Sequence, residues 1–534
     1  MTSGLRTVSI LTFLSRVLGL IRDVGMAAAF GNGPLMDAFS VAFRVPNLAR
    51  GMFGEGALTA AFLPAFLQER AVRGEEAGWR LASGVIAVLM AGLTAVVLLT
   101  EVILVAIWTQ CDPASDLRLL VGLTAVLLPY LILVCVVAQI SAVMYGLNHF
   151  LWPSLEPVLM NLVWIASLWW IVPRLASPTA QIYAVALAIV GSGLFQLAAP
   201  LPTMRRLGFR YAPDWRQSQA RLIEVGKAVF AVTIGLSVTQ LNSLLDGVTA
   251  WAFSQPESAP NVIAWLPGAH AYPLESGTAS ALYFGQRVYQ FPLGVFGVAL
   301  GTVLFPVLSR HAAENRLDKL RDDLLRGLKL VLFISVPASA GLVLLARPLT
   351  ILLFEHGSFD PSAVRQTTGM VRMFGCAVWA YCGILIVHRG FYAVGDRRSP
   401  LAVSFVAMVV NLSLNVILMW PLGGPGLALA TAISSALQFG LVVWLFQQRV
   451  GRIDWRDLRR SALQTCAATA AMSLACVVVA ERFPPGQSWY PRLTSVLAPM
   501  AASLVVYFGL ARLMGMSELA LLFRADRSAG DSKD

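Results

Sequence analysis

Charge is what this chain has least of, followed by histidine and by any patterned use of cysteine. Only 13% of its 534 residues are charged, where soluble domains carry about 25%, which leaves no room for a large soluble domain. The five histidines are scattered, with His149, His311 and His388 near the inner ends of apolar runs. Without HExxH or a histidine–cysteine cluster nothing suggests metal-assisted hydrolysis, and without GxxxxGK[ST] nothing suggests P-loop ATP hydrolysis. Cys111, Cys135, Cys376, Cys382, Cys466 and Cys476 have no paired spacing and read as small core hydrophobes. The N-terminal apolar stretch continues through Arg16 and Arg22 with no small-residue cleavage site, and reads as a retained first span.

What is present is apolar sequence, 57% of the residues. A bilayer core takes about 20 residues of helix, and runs of that length fall near residues 5–31, 35–67, 81–108, 117–147, 150–173, 180–204, 221–254, 278–309, 324–346, 363–392, 398–420, 425–448, 461–481 and 490–513. The fold class is therefore an all-α polytopic membrane protein of about 14 spans. The formal charge of +11 does not imply nucleic acid, because the basic residues follow topology. Most of the 40 Lys and Arg fall in alternate loops, such as Arg205, Arg206 and Arg210 or Arg449, Arg452 and Arg456. Positive loops face the cytoplasm and its anionic leaflet, so both termini are expected inside. The segment 255–277 has Glu257 and Glu275 but no Lys or Arg, as suits an outer loop, with Trp265 and Tyr272 at the interface.

GALTAAFLPAF around Pro64 and GTVLFPVLS around Pro306 form a faint repeat, each with an arginine, Arg44 or Arg287, about twenty residues upstream. It predicts two six-helix lobes, 1–204 and 205–450, then two further helices in 451–516 and a disordered cytoplasmic tail in 517–534.

The first two spans carry Arg16, Arg22, Asp23, Asp37, Arg44, Arg50 and Glu55, and the eighth carries Arg287. A charge at mid-span costs about 2.5–3.5 kcal/mol on insertion scales, so these groups must face a wet central cavity or one another. Ser15, Gly19 and Arg22 share a helical face, as do Asp37 and Arg44. Pro46 and Gly54-Glu55-Gly56 interrupt the second span. All five intramembrane cations are arginine, whose planar fork grips phosphate or carboxylate oxygens bidentately. Structural pairing is the competing reading: Arg22 with Asp23, Arg44 with Asp37, Arg50 with Glu55. A second polar set, Asp246, Asn411, Asn415 and Thr431, suits either a hard cation or hydrogen bonding between helices.

SRVLGLIRD, MDAFSVAFRVPNLARGMFGEGALTAAFLPAF and QRVYQFPLGVFGVALGTVLFPVLSR resemble the MurJ (MviN) lipid II flippases of the multidrug/oligosaccharidyl-lipid/polysaccharide exporter superfamily, from the first span to about residue 450. The resemblance implies a transporter, not an enzyme, in the bacterial cytoplasmic membrane. Its substrate would be lipid II, the undecaprenyl-diphosphate-linked disaccharide-pentapeptide, with peptidoglycan synthases as candidate partners. It implies substrate roles for Arg16, Arg22, Arg50 and Arg287, for the acids Asp23, Asp37 and Glu55, and for Ser15 and Ser280. It implies a groove for the lipid tail at the last two helices. It also implies sodium at Asp246, Asn411, Asn415, Thr431 and the Leu427 carbonyl, although Asn415 stands where a family ligand is aspartate. Gln286 and Gln290 stand where relatives often have acids beside the arginine. The rival readings are a drug/sodium antiporter or other oligosaccharide-lipid exporter of the superfamily, and an intramembrane transferase.

Overall fold

The computed structural model describes residues 2–52, 58–213, 215–256, 260–263, 266–267, 270–452 and 454–524. Among these the chain forms helices and no strand. It packs as two compact units, the first comprising Met1–Tyr272, Ser276–Ser280 and His356–Phe359, the second Pro273–Glu275, Ala281–Glu355 and Asp360–Asp534.

The first unit holds α1 (Thr2–Phe30), α2 (Pro34–Ala49), α3 (Leu58–Arg73), α4 (Glu75–Gln110), α5 (Asp116–Leu127), α6 (Tyr130–Gly146), α7 (Leu151–Ala166), α8 (Pro178–Ala198), α9 (Leu201–Arg206) and α10 (Trp215–Ala252). α1 lies on α7, α2 on α5 and α10, and α3 on α4 and α6. Phe62, Phe66, Trp79, Ile140, Met144 and Met204 belong to one of its apolar clusters. Proline at the first turn starts α2 and α8, where its missing N–H has no helical partner to lose. The far end of α1 is closed by a distant loop: Ser358 donates its N–H to the carbonyl of Ala28 at 2.8 Å and its hydroxyl to that of Ala29 at 3.2 Å. Gly31 and Gly357 make this possible. Both have positive φ, and a Cβ on either would stand within 2.4 Å of the opposing carbonyl oxygen.

α11 (Thr278–Pro292) begins in the first unit, and from Ala281 the second unit takes it on through α12 (Ala299–Ala313), α13 (Leu317–Leu344), α14 (Ala346–Phe354), α15 (Pro361–Gly375) and α16 (Val378–Ala393). It ends with α17 (Arg398–Leu422), α18 (Gly424–Arg449), α19 (Trp455–Arg482), α20 (Trp489–Leu513) and α21 (Ser517–Arg524). α17 pairs with α18, α19 with α20, and α13 packs against both α16 and α19. Asp360 caps α15 by accepting the Ala363 N–H at 2.8 Å.

Helix is present at every predicted span. By length and apolarity, however, ten helices qualify as bilayer-crossing among the described residues, or eleven if the bent pair α15 and α16 is one span. That supports a multi-pass membrane protein, with fourteen remaining the count read from the sequence. The compact units also differ from the expected lobes, because α10 packs on α2, α3 and α4 in the first.

The disordered tail expected over 517–534 needs correction in its first part, while residues 525–534 lie outside the described residues. Ser517–Arg524 is helical, not disordered, and it is docked. Glu518 is 1% exposed, accepts the Ser461 hydroxyl of α19 at 2.6 Å and lies 3.5 Å from Lys329 of α13. Met516 and Leu519 join the apolar cluster of Phe333, Met472 and Tyr507. A sequence rich in polar residues concealed this, because one buried carboxylate with two partners anchors the turn.

Candidate functional site

Ser15, Gly19 and Arg22 do share a face of α1, and that face meets α7. Gly19 leaves room for Asn161, whose Nδ2 would lie 3.8 Å from a Cβ there. Asn161 is 4% exposed and bridges two turns of α1. It donates to the Ser15 carbonyl at 3.0 Å and accepts from Arg22 Nη1 at 2.9 Å. Arg22 also donates from Nε and Nη2 to Asp23 Oδ1, at 3.0 and 2.7 Å. Its guanidinium stands 4.5 Å over the Trp164 ring. Trp164 is fully buried, donates to Met26 Sδ at 3.2 Å, and meets Phe39 and Phe43 of α2 edge-on. Arg22 and Asp23 are 7% and 3% exposed. A buried pair of this kind holds only when further hydrogen bonds complete it, and Asn161 and Trp164 complete this one.

Asn161 and Trp164 were not among the sequence candidates. Removing Asn161 takes the acceptor from the buried Arg22 Nη1, at about 1–3 kcal/mol. Asn161→Ala is therefore expected to lower the melting temperature and to slow transport, whereas a variant melting and turning over like wild type would deny Asn161 a positioning role.

Asp37 does not pair with Arg44. It accepts the N–H groups of Gly277 and Ser280, at 2.8 and 2.6 Å, and the Ser280 hydroxyl at 2.6 Å. A carboxylate at the start of α11 satisfies donors that have no partner within their own helix. The structure thus brings Asp37 and Ser280 together, with Asn32 also bonded to the Ser280 hydroxyl.

α2 runs through Pro46 unbroken and widens into a π-type turn at Arg50, so the interruption expected at Pro46 is absent. Arg50 donates Nε to Asn47 Oδ1 at 3.0 Å. Glu156 of α7, which accepts the Ser141 hydroxyl, lies within its electrostatic reach. Glu156 also escaped the sequence reading, set among apolar residues and between two prolines. Glu55, expected beside Arg50, lies outside the described residues, as do Gly54 and Gly56. Arg16 is exposed on α1.

In the second unit Arg287 stands 4.6 Å over the Tyr283 ring and donates to Gln290 Oε1 at 3.2 Å. Gln290 is one of the two glutamines that stand where the resemblance often places acids. Asn411, Asn415 and Thr431 also lie together there. Asn411 donates to Thr431 Oγ1 at 3.1 Å, Asn415 to Asn411 Oδ1 at 3.2 Å, and Thr431 to the Leu427 carbonyl at 3.2 Å. Asp246 belongs to the first unit, 2% exposed, with Asn242 donating to it at 3.5 Å. Among the described residues no group of three or more His, Cys, Asp or Glu is arranged to hold a metal.

Buried guanidinium groups held by side chains of neighbouring helices, in a chain with ten helices long and apolar enough to cross a membrane among the described residues, define a multi-pass membrane protein with charged groups in its interior. Comparison with known proteins narrows that class. The model of the family described as lipid II flippase MurJ matches residues 26–493. A probable lipid II flippase MurJ of Vibrio cholerae serotype O1 is 32% identical over 448 residues, which cover 82% of this chain and 81% of that protein. One from Rhizobium tropici is 30% identical over 533 residues, covering 97% and 95%. The chain belongs to the lipid II flippase MurJ family. Its fold is similar to a solved lipid II flippase MurJ in an inward closed conformation, with a TM-score of 0.76 at 21% identity over 95% of this chain and 98% of that one. An inward-facing multidrug resistance MATE family transporter of the MOP superfamily is more distant, at 0.63 and 15%, over 84% and 96%.

Proposed function

We propose that this chain translocates lipid II, the lipid-linked peptidoglycan precursor, from the inner to the outer leaflet of the bacterial cytoplasmic membrane. The observation that carries the reading is Arg22, buried and oriented by Asp23, Asn161 and Trp164, on a chain of the MurJ family. A guanidinium so fixed presents its remaining N–H groups in one direction, as recognition of a diphosphate requires. Arg50 and Arg287 supply further forks for the phosphates, and Arg16 a more exposed one. Asp23 and Glu156 balance the arginines when no anion is bound, and Asp37 and Ser280 secure the start of α11.

Access alternates between the two faces while the polyprenyl chain stays in lipid alongside α19 and α20. A negative-inside potential favours outward passage of an anion by about 2.3 kcal/mol per charge per 100 mV, so voltage drives turnover without ATP. Both termini are cytoplasmic by the distribution of Lys and Arg. The delivered precursor meets peptidoglycan synthases on the outer face, and these are the candidate partners.

Purified protein in vesicles loaded with fluorescent lipid II is expected to speed exposure of the headgroup to a membrane-impermeant quencher, and to recover the lipid chemically unchanged. Exposure no faster than in protein-free vesicles would end the flippase reading. A chemically altered lipid would favour the transferase.

A further inference from the structure

Asp246 is the carboxylate of the residue set that the family resemblance offers to sodium, and Arg44 packs on the same helix, α10. Arg44, 9% exposed, leaves α2 and crosses the face of α10. Its Nη1 donates to the Ser243 carbonyl oxygen and, at 2.9 Å, to the Ser243 hydroxyl. Its Cδ, Nε and Cζ fill the space over Gly247, where a Cβ would stand 3.0–3.1 Å from them. Residues 243, 246 and 247 are spaced i, i+3, i+4 and share one helical face. The guanidinium therefore rests on the surface that the Asp246 carboxylate occupies, and glycine at 247 is what lets it lie so close. The other three side chains are neutral. The Thr431 hydroxyl and the Asn411 carbonyl oxygen already accept hydrogen bonds within their own chain of contacts. A hard cation gains most from anionic oxygen ligands, and the anionic one here shares its helical face with a guanidinium. These residues do not fit sodium.

We infer that Arg44 is the tethered counter-cation of Asp246, a positioning residue that takes the place of a bound sodium ion. The inference deepens the transport reading, but its first test does not depend on it.

Full-length protein in detergent is melted in NaCl and in choline chloride at equal ionic strength. Wild type is expected to melt alike in both. Arg44→Gln should melt lower in choline and be raised by sodium, because a free cation can now serve Asp246. Arg44→Gln with Asp246→Asn should regain stability and lose the sodium response, and Arg44→Lys should behave as wild type. Sodium-specific stabilisation of wild type that disappears in Asp246→Asn would overturn the inference. So would a double variant as unstable as Arg44→Gln, or an Arg44→Gln protein indifferent to sodium. Should Arg44→Gln fail to fold, recovery of folding in the double variant supports the pairing and its failure refutes it. In vesicles, wild-type transport should survive replacement of sodium by choline. No transport in either medium would sink the flippase reading and leave the melting result standing.

Discussion

Replacing Arg22 by alanine is expected to damage fold and transport together. Breaking a buried pair from one side typically costs about 3–5 kcal/mol, because the partner charge is left without compensation. Asp23, at 3% exposure, is that partner. The variant should melt well below wild type and leave lipid II on the inner leaflet. Two companions separate the losses. Arg22→Met with Asp23→Leu removes both charges and should recover most of the melting temperature without transport. Arg22→Lys keeps the charge but loses the fork held by Asp23 and Asn161, and should turn over slowly. An Arg22→Ala protein with the wild-type melting temperature would contradict the clamp.

Arg287→Ala should separate the same two quantities differently. The change removes a hydrogen bond to neutral Gln290 and a contact with the Tyr283 ring, and a hydrogen bond between protein groups is worth about 0.5–1.5 kcal/mol net. If Arg287 grips a phosphate, losing that charge-assisted contact costs roughly 1.5–3 kcal/mol, or about ten- to a hundredfold in transport rate. Normal expression with lost complementation of a depleted strain is the expected result. A fully active Arg287→Ala would remove it from phosphate recognition.

The two arginines also show how far sequence carries. Their cost at span depth announced them, and the adjacency of Arg22 and Asp23 announced their pair. The helix faces were equally legible, since Ser15 and Arg22 do meet α7 together. Asn161, 139 residues from Arg22, was not. An asparagine in an apolar span has many uses, and no local spacing records which distant helix it bridges. Glu156 was hidden in the same way. For Arg44 the periodicity was right and the partner wrong. Asp37 lies two turns away on the same face, yet the donors at the start of α11 claim it, and Arg44 finds instead the bare backbone at Gly247. The tail failed for the opposite reason, because its polar composition reads as solvated while Glu518 has buried partners on α13 and α19.

The order of assembly along the chain adds a consequence for biogenesis. Arg22 and Asp23 are neighbours, so they can neutralise each other as soon as α1 leaves the ribosome and enters the translocon. Asn161 and Trp164 are synthesised well over a hundred residues later. The nascent first helix thus carries its own charge compensation into lipid, and Asp23→Asn should hamper its integration even where the finished protein would tolerate the change.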